Sequence, residues 1–337
     1  MTPLSLGDDT VAANVPLGFS FNYNGQDYNS VDVSSNGFLT FGSLNGNSYC
    51  CNGLLLDNAG APRNSVFALW NDLIDLTNPY YTTIVLPDGR KRFILGYYGT
   101  REFYNNNSNS FEIILDEDGR IQFNYGDLKI LNHSVTAGVT RSGPTDFAEL
   151  FRGTRNATTG LLDPGLLAGY ANKSFEYNNG AFQLLNSVPI LPTGNTKILA
   201  SQVETWLNSG ANVTLRAQNP TATTTDGNVT INALINKSAG PMTTLSLGAS
   251  GDVVIANGVN ITAQSGLSVA LQSDSNRNGS GIVKLAGTID TGATAPSGSA
   301  ASILIDGNVK LGGNSALISN GSVVVTGGIS LGAGVTT

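Results

Sequence analysis

One histidine, two adjacent cysteines and a few clustered carboxylates are nearly all that this 337-residue chain offers to chemistry. His133 lies in KILNHSVTAGV with no GxSxG motif nearby. A Ser-His-Asp or Cys-His arrangement would therefore have to be built on this single imidazole, and the context favours a partly exposed structural histidine instead. Cys50 and Cys51, in NSYCCNG, can close on each other only as a strained vicinal disulfide; otherwise they stay as thiols or bond to another chain. Two thiolates and one histidine fall short of a zinc site. Export from the cell would favour the vicinal disulfide.

The carboxylates suggest at most a hard cation. DSNRNG (274–279) places Asp274, Asn276 and Asn278 at the spacing of the first half of a calcium loop, but Leu285 stands where a bidentate Glu belongs. A polar turn between strands would use the same residues. Asp72 and Asp75 in WNDLIDL, and Asp8 with Asp9, could supply oxygen ligands or serve as solvated and capping groups. Ca²⁺ is the one cofactor these patterns suggest. In REFYNNNSNSF (101–111), Phe103 and Tyr104 precede Asn105 and Asn106, with Tyr97 and Tyr98 close by. Aromatic faces beside amides suit sugar stacking, and they suit hairpin packing as well; together with Cys50 and Cys51, this loop is where a ligand would be sought. Glycoside hydrolysis needs two carboxylates flanking one bond. Beyond residue 198 the acids Glu204, Asp226, Asp252, Asp274, Asp290 and Asp306 are spread through the chain, mostly beside turn residues. No catalytic residue is assigned, and enzymatic function is not expected.

The elements that must hold these residues read as two compositions. Every Phe and Tyr lies at or before Phe182, and beyond position 198 Trp206 is the one aromatic. Charged residues make up 12% of the chain, about half the usual share. The Pro-bearing segment SVPILPTGNTK marks the boundary, giving a domain over 1–186, a linker over 187–198 and a second domain over 199–337. In the first, YNSVDVSSNGFLTFG (28–42), TTIVLPDGRKRFILGYY (82–98) and NSFEIILDEDGRIQFNYG (109–126) pair alternating runs across Asn-Gly or Asp-Gly, a strong hairpin signal. ALWNDLIDL (68–76) fits a short helix or a buried strand. No long amphipathic helix stands out, so an antiparallel β-sandwich is expected. In the second, NVTL, NVTI, DVVI, LSVAL, IVKL, SILI, NVKL and SVVV recur between Gly, Asn and Ser. Short repeated strands without aromatics fit the narrow interior of a parallel β-helix, where like side chains stack in ladders. The fold class is all-β.

Two resemblances follow. KILASQVETWLNSGANVTLRAQ, DGNVTINALINKS, LSLGASGDVVIANGVNIT, SGLSVALQSDSNRNGSG and IVKLAGTIDT resemble the coils of filamentous-haemagglutinin-type exoproteins. That family implies a right-handed parallel β-helix in a secreted protein exported through an outer-membrane partner, although its N-terminal secretion motifs are not visible here. LGFSFNYNGQDYNSVDVSSNGFLTFGS, FALWNDL, NSFEIILDEDGRIQFNYGDL and SVTAGVTRSG are similar to the nidogen-type extracellular β domain, which implies a matrix or cell-surface interaction module. No signal peptide is visible in the start MTPLSLGDDT, and SLGAGVTT stops within the repeat, so a fragment of a longer exported chain is expected. A net charge of −7 without basic clusters argues against nucleic acid and anionic membranes, and no run is long enough to span a bilayer. The expectation is an extracellular bacterial adhesin whose β-helix stalk presents a module to a glycan, matrix or cell-surface ligand. The alternatives are a filament subunit binding copies of itself by β-augmentation and, last, a carbohydrate-active β-helix enzyme.

Overall fold

The computed structural model describes residues 2–50, 53, 55–74, 79–86, 89–143, 145–178, 180–191, 198–217, 227–275, 279–292, 300–313 and 315–332. Two compact units divide the chain between Leu185 and Asn186. The first is all antiparallel and the second all parallel in its sheets.

Alternating runs form the first unit because one face of each strand is apolar. Val11–Tyr23 buries Val15, Leu17, Phe19, Phe21 and Tyr23 while the residues between them face water. This strand edges a six-stranded sheet that continues through Gln26–Ser34, Phe38–Thr40, Ser65–Trp70 and Val135–Thr140 to Phe147–Gly153. An eight-stranded sheet, with Lys91–Glu102 and Asn109–Asp116 near its middle, covers the other side of one core. Rings fill the gap: Tyr97 stacks on Phe111 at 4.6 Å and Tyr23 on Phe41 at 4.4 Å. Two buried phenols bridge the sheets, Tyr97 Oη donating to the Ser34 carbonyl and Tyr125 Oη to that of Ala68. This is a β-sandwich. The Asn36-Gly37 turn joins its strands as the sequence predicts; Gly37 has φ +82°, and a Cβ there would lie 2.2 Å from the Leu69 carbonyl oxygen. The ambiguous 68–76 stretch is strand, Ser65–Trp70 and Leu73–Ile74, as far as Ile74.

Among the described residues the second unit is a parallel β-helix of three sheets, with six, five and four strands. One coil runs Val253–Ile255, Ile261–Ala263, Leu267–Gln272. DVVIANGVNIT is thus two strands, turned at Asn257-Gly258, where Gly258 has φ +71°. Inward columns keep their chemistry from coil to coil. Val229, Val253, Val283, Val309 and Ile329 stack in register, as do Ile235, Ile261, Ile289 and Leu317. At about 4.8 Å per rung, the six-stranded sheet extends about 24 Å. Asparagines lock the corners. The Oδ1 atoms of Asn212, Asn228, Asn260 and Asn308 accept the backbone N–H of Thr244, Asp252, Thr288 and Gly328 one coil on, and Asp252 does the same for Ile282. The abundance of Asn between strands therefore has a hydrogen-bonding cause.

Two elements differ from the sequence reading. Ser187–Ile190, placed in the linker for its proline, is a strand parallel to Asn212–Ala217. Pro189 fits because this is the edge strand of its sheet, where no rung is lost to a missing N–H. KILASQVETWLNS, read as coil, holds a helix, Ala200–Asn208, which packs on Asn212–Ala217, Ile235–Lys237 and Thr243–Ala249. Val203 and Leu207 bury into the solenoid core and Trp206 packs against it, so this helix covers the first coil in place of another rung.

Candidate functional site

Lys91–Glu102 and Asn109–Asp116 are joined by a loop whose organiser is Glu102. Its carboxylate is fully buried and accepts from the backbone N–H groups of Leu131, Asn132 and His133 at 2.9, 2.7 and 2.7 Å. Asn105 Nδ2 and Asn107 Nδ2 donate to the same group at 3.2 and 2.9 Å, and His133 Nδ1 lies 3.0 Å from it. A buried carboxylate needs such a shell. The effect is to fuse residues 103–108 to the separate loop 129–133, with Asn107 Nδ2 also reaching the Lys129 carbonyl.

The aromatic candidates separate on this framework. Tyr97 and Tyr98 are fully buried, Tyr97 Oη on Ser34 and Tyr98 Oη on Glu112 Oε1 at 2.8 Å. Strand alternation turns both into packed surfaces, which corrects their assignment to a ligand site. Tyr104 is 88% exposed, with φ +59°, and its ring centroid is 4.0 Å from that of half-buried Phe103. Asn105 is turned inward to Glu102, while exposed Asn106 accepts from Arg101 Nη1 at 3.0 Å through its Oδ1.

A second cluster adjoins the loop, because the backbone N–H of Phe103 donates to the Asp72 carbonyl. Asp72 is buried, and its carboxylate lies 3.8 Å from His133 Nε2. Asp9, Asp72 and the Cys50 sulfur each bring a potential ligand atom within 4.8 Å of the others. Asn36 Nδ2 donates to Asp9 Oδ1 at 2.8 Å. Burial pushes the Asp72 carboxyl up to about 6, aided by Asp9, Asp8 and Glu102 and opposed by His133. Asp8 is also raised, by burial and by Asp9. Sequence reasoning singled out Asp72 and Asp8–Asp9 separately; nothing in their spacing signalled that the fold joins them. Cys50 is disulfide-bonded. The chain's one other cysteine is Cys51, which lies outside the described residues, as does Asp75.

The remaining candidates lie in the solenoid. Asp274 has φ +49°, and its two carboxylate oxygens accept the Gly279 N–H at 3.1 and 3.0 Å, which is a turn-closing bond. Asn276 and Asn278 lie outside the described residues. Sequence reasoning missed Lys237, which is fully buried: its Nζ donates to the Ala239 carbonyl and to Ser265 Oγ, both at 2.7 Å. Burial pulls its pKa down. A short three-residue strand hid its inward direction. Among the described residues no helix is long and apolar enough to cross a membrane.

A family model described as NIDO related matches residues 1–163, so the N-terminal domain is nidogen-like. Among curated proteins and solved structures, none matches the chain.

Proposed function

We propose that this chain is a non-catalytic bacterial surface protein of the filamentous-haemagglutinin type, secreted to act outside the cell. Its nidogen-like domain binds a glycan, matrix or cell-surface ligand, and its β-helix is a stiff spacer. The observation that supports this reading is the pairing of two designs in one chain. One is a sandwich carrying a braced, exposed loop around Tyr104; the other is a solenoid whose columns run in unbroken register from coil to coil. Coils that touch only their neighbours make a modular rod. The expected assay result is saturable binding of the full chain to immobilised matrix proteins or whole cells. Failure to bind any of them, with the protein folded, would remove the reading.

End-to-end assembly into a filament is the second reading. Electron microscopy at micromolar concentration separates the two: fibres support assembly, and single particles support the adhesin. A calcium ion at Asp72 with Asp9, and at Asp274, belongs to the same proposal, and calcium titration tests it.

A further inference from the structure

Two tyrosines hold left-handed backbone, Tyr49 at φ +51° and Tyr104 at φ +59°. A bulky residue in that region is a true outlier, and such strain gathers at functional positions. Tyr49 has a packing account. It is half-buried, its ring sits 6.3 Å from Phe38, and its carbonyl takes the Trp70 indole N–H at 3.0 Å. Tyr104 touches only the half-buried Phe103 ring, at 4.0 Å between centroids, and 88% of it still faces solvent.

The loop nevertheless holds Tyr104 in place. The residue before the Phe103–Tyr104 pair is Glu102, gripped by three backbone N–H groups and two amides. The backbone N–H of Phe103 is fixed to the Asp72 carbonyl at 2.9 Å, and that of Asn105 to the Glu102 carbonyl at 3.0 Å. An aromatic ring kept in water on a backbone hydrogen-bonded on both sides is a preorganised contact. Little freedom remains to be lost when something stacks on it, because tyrosine has only two side-chain torsions.

We infer that the Tyr104 loop is a saccharide-binding site in which the Tyr104 ring is the stacking platform and Arg101 and Asn106 bond the hydroxyls. This rests on the reading of the nidogen-like domain as an interaction module and gives that module a ligand class. A sugar ring has one face of C–H groups and an edge of hydroxyls. It matches an aromatic ring flanked by groups that donate and accept. Arg101 Nη1 spends one donor on Asn106 Oδ1, and a guanidinium carries five. A protein partner would ask for a different surface, an aromatic anchor seated in a desolvated pocket. The favoured glycan is uncharged. Of the acids near the loop, Glu102 is buried, and Asp127 pairs with Lys129 at 3.1 Å. The chain as a whole carries −7, which disfavours sialylated or sulfated chains.

The test uses the full chain on an array of neutral oligosaccharides (glucans, galactans and N-acetylhexosamine polymers) beside sialylated and sulfated ones. Wild type is expected to bind neutral glycans. Tyr104→Ala should lose about tenfold in affinity, the worth of one aromatic contact, and Tyr104→Trp should retain binding. Asn106→Ala should weaken binding without abolishing it. Because Tyr104 is exposed, the thermal midpoint of each variant should match wild type and show that it folds. Binding that Tyr104→Ala leaves intact, binding confined to charged glycans, or no glycan binding by wild type would each overturn the site. If wild type binds matrix or cells but no glycan, the interaction module stands and this site falls. Loss of all binding by wild type removes both.

Discussion

Replacing Asp72 with Asn should stabilise the nidogen-like domain at neutral pH, which is the reverse of what most buried substitutions do. Asp72 is 5% exposed, and burial with Asp9, Asp8 and Glu102 around it moves its pKa from 3.8 to about 6. The folded state therefore keeps a proton that the unfolded chain has lost. Below pH 4 both states are protonated and no penalty exists. As pH rises through about 4 to 6, stability falls, and above that the full penalty persists. The displacement of roughly two units corresponds to about 3 kcal/mol; solvent at the exposed side of the cluster, where Asp9 lies, reduces it. Asp72→Asn is expected to gain about 1–3 kcal/mol at pH 7 and nothing at pH 3.5. Urea unfolding followed by tyrosine near-UV dichroism measures this cleanly, because every tyrosine lies in the first unit. A variant no more stable than wild type at pH 7, or a gain that ignores pH, would refute the electrostatic reasoning. Adding Ca²⁺ to the same pair gives a second reading. Stabilisation of wild type alone makes Asp72 a cation ligand, and an equal response takes it out of that role.

Three further predictions concern the solenoid. Ile261→Ala opens a gap in a fully buried column between Ile235 and Ile289 and should cost about 2–5 kcal/mol in denaturant unfolding followed by far-UV dichroism. Asn260→Ala deletes the oxygen that accepts the Thr288 N–H at 3.0 Å; about 1 kcal/mol should be lost by the same measurement, with faster exchange of the Thr288 amide. Gly287→Ala would set a Cβ 1.7 Å from the Val259 carbonyl oxygen, so neighbouring coils must separate there, and a loss of about 3 kcal/mol or more is expected as a lower thermal midpoint.

Hairpins were legible because turn chemistry is local. Asn36-Gly37 and Asp118-Gly119 lie between strands that pair across them, and Gly37 and Gly119 both have positive φ. Solenoid strands with two inward aliphatics, such as Val253 and Ile255, were legible for the same reason. The sheet containing Ile235–Lys237 and Thr288–Asp290 was not read, since three residues with one aliphatic carry too little period to detect. The helix Ala200–Asn208 was hidden because its apolar stripe is only Val203 and Leu207 with Trp206 beside them, and no side chain caps its start. The site was legible in part. Exposure at Tyr104 follows from a polar loop, but adjacent Tyr97 and Tyr98 sit in a strand buried on both faces, where alternation tells nothing about access. The meeting of Asp9, Asp72 and Cys50 depends on three distant segments, and no short-range pattern encodes that.

The asparagine corners carry a mechanical consequence. In the solenoid, neighbouring coils are joined by ladder bonds that lie along its axis, together with side-chain bridges at some of the corners. Tension along that axis loads these bonds one rung at a time, so the array should yield by shedding whole coils from an end, each event releasing a similar length of chain. Under load the solenoid would therefore lengthen in steps, coil by coil, rather than give way at once.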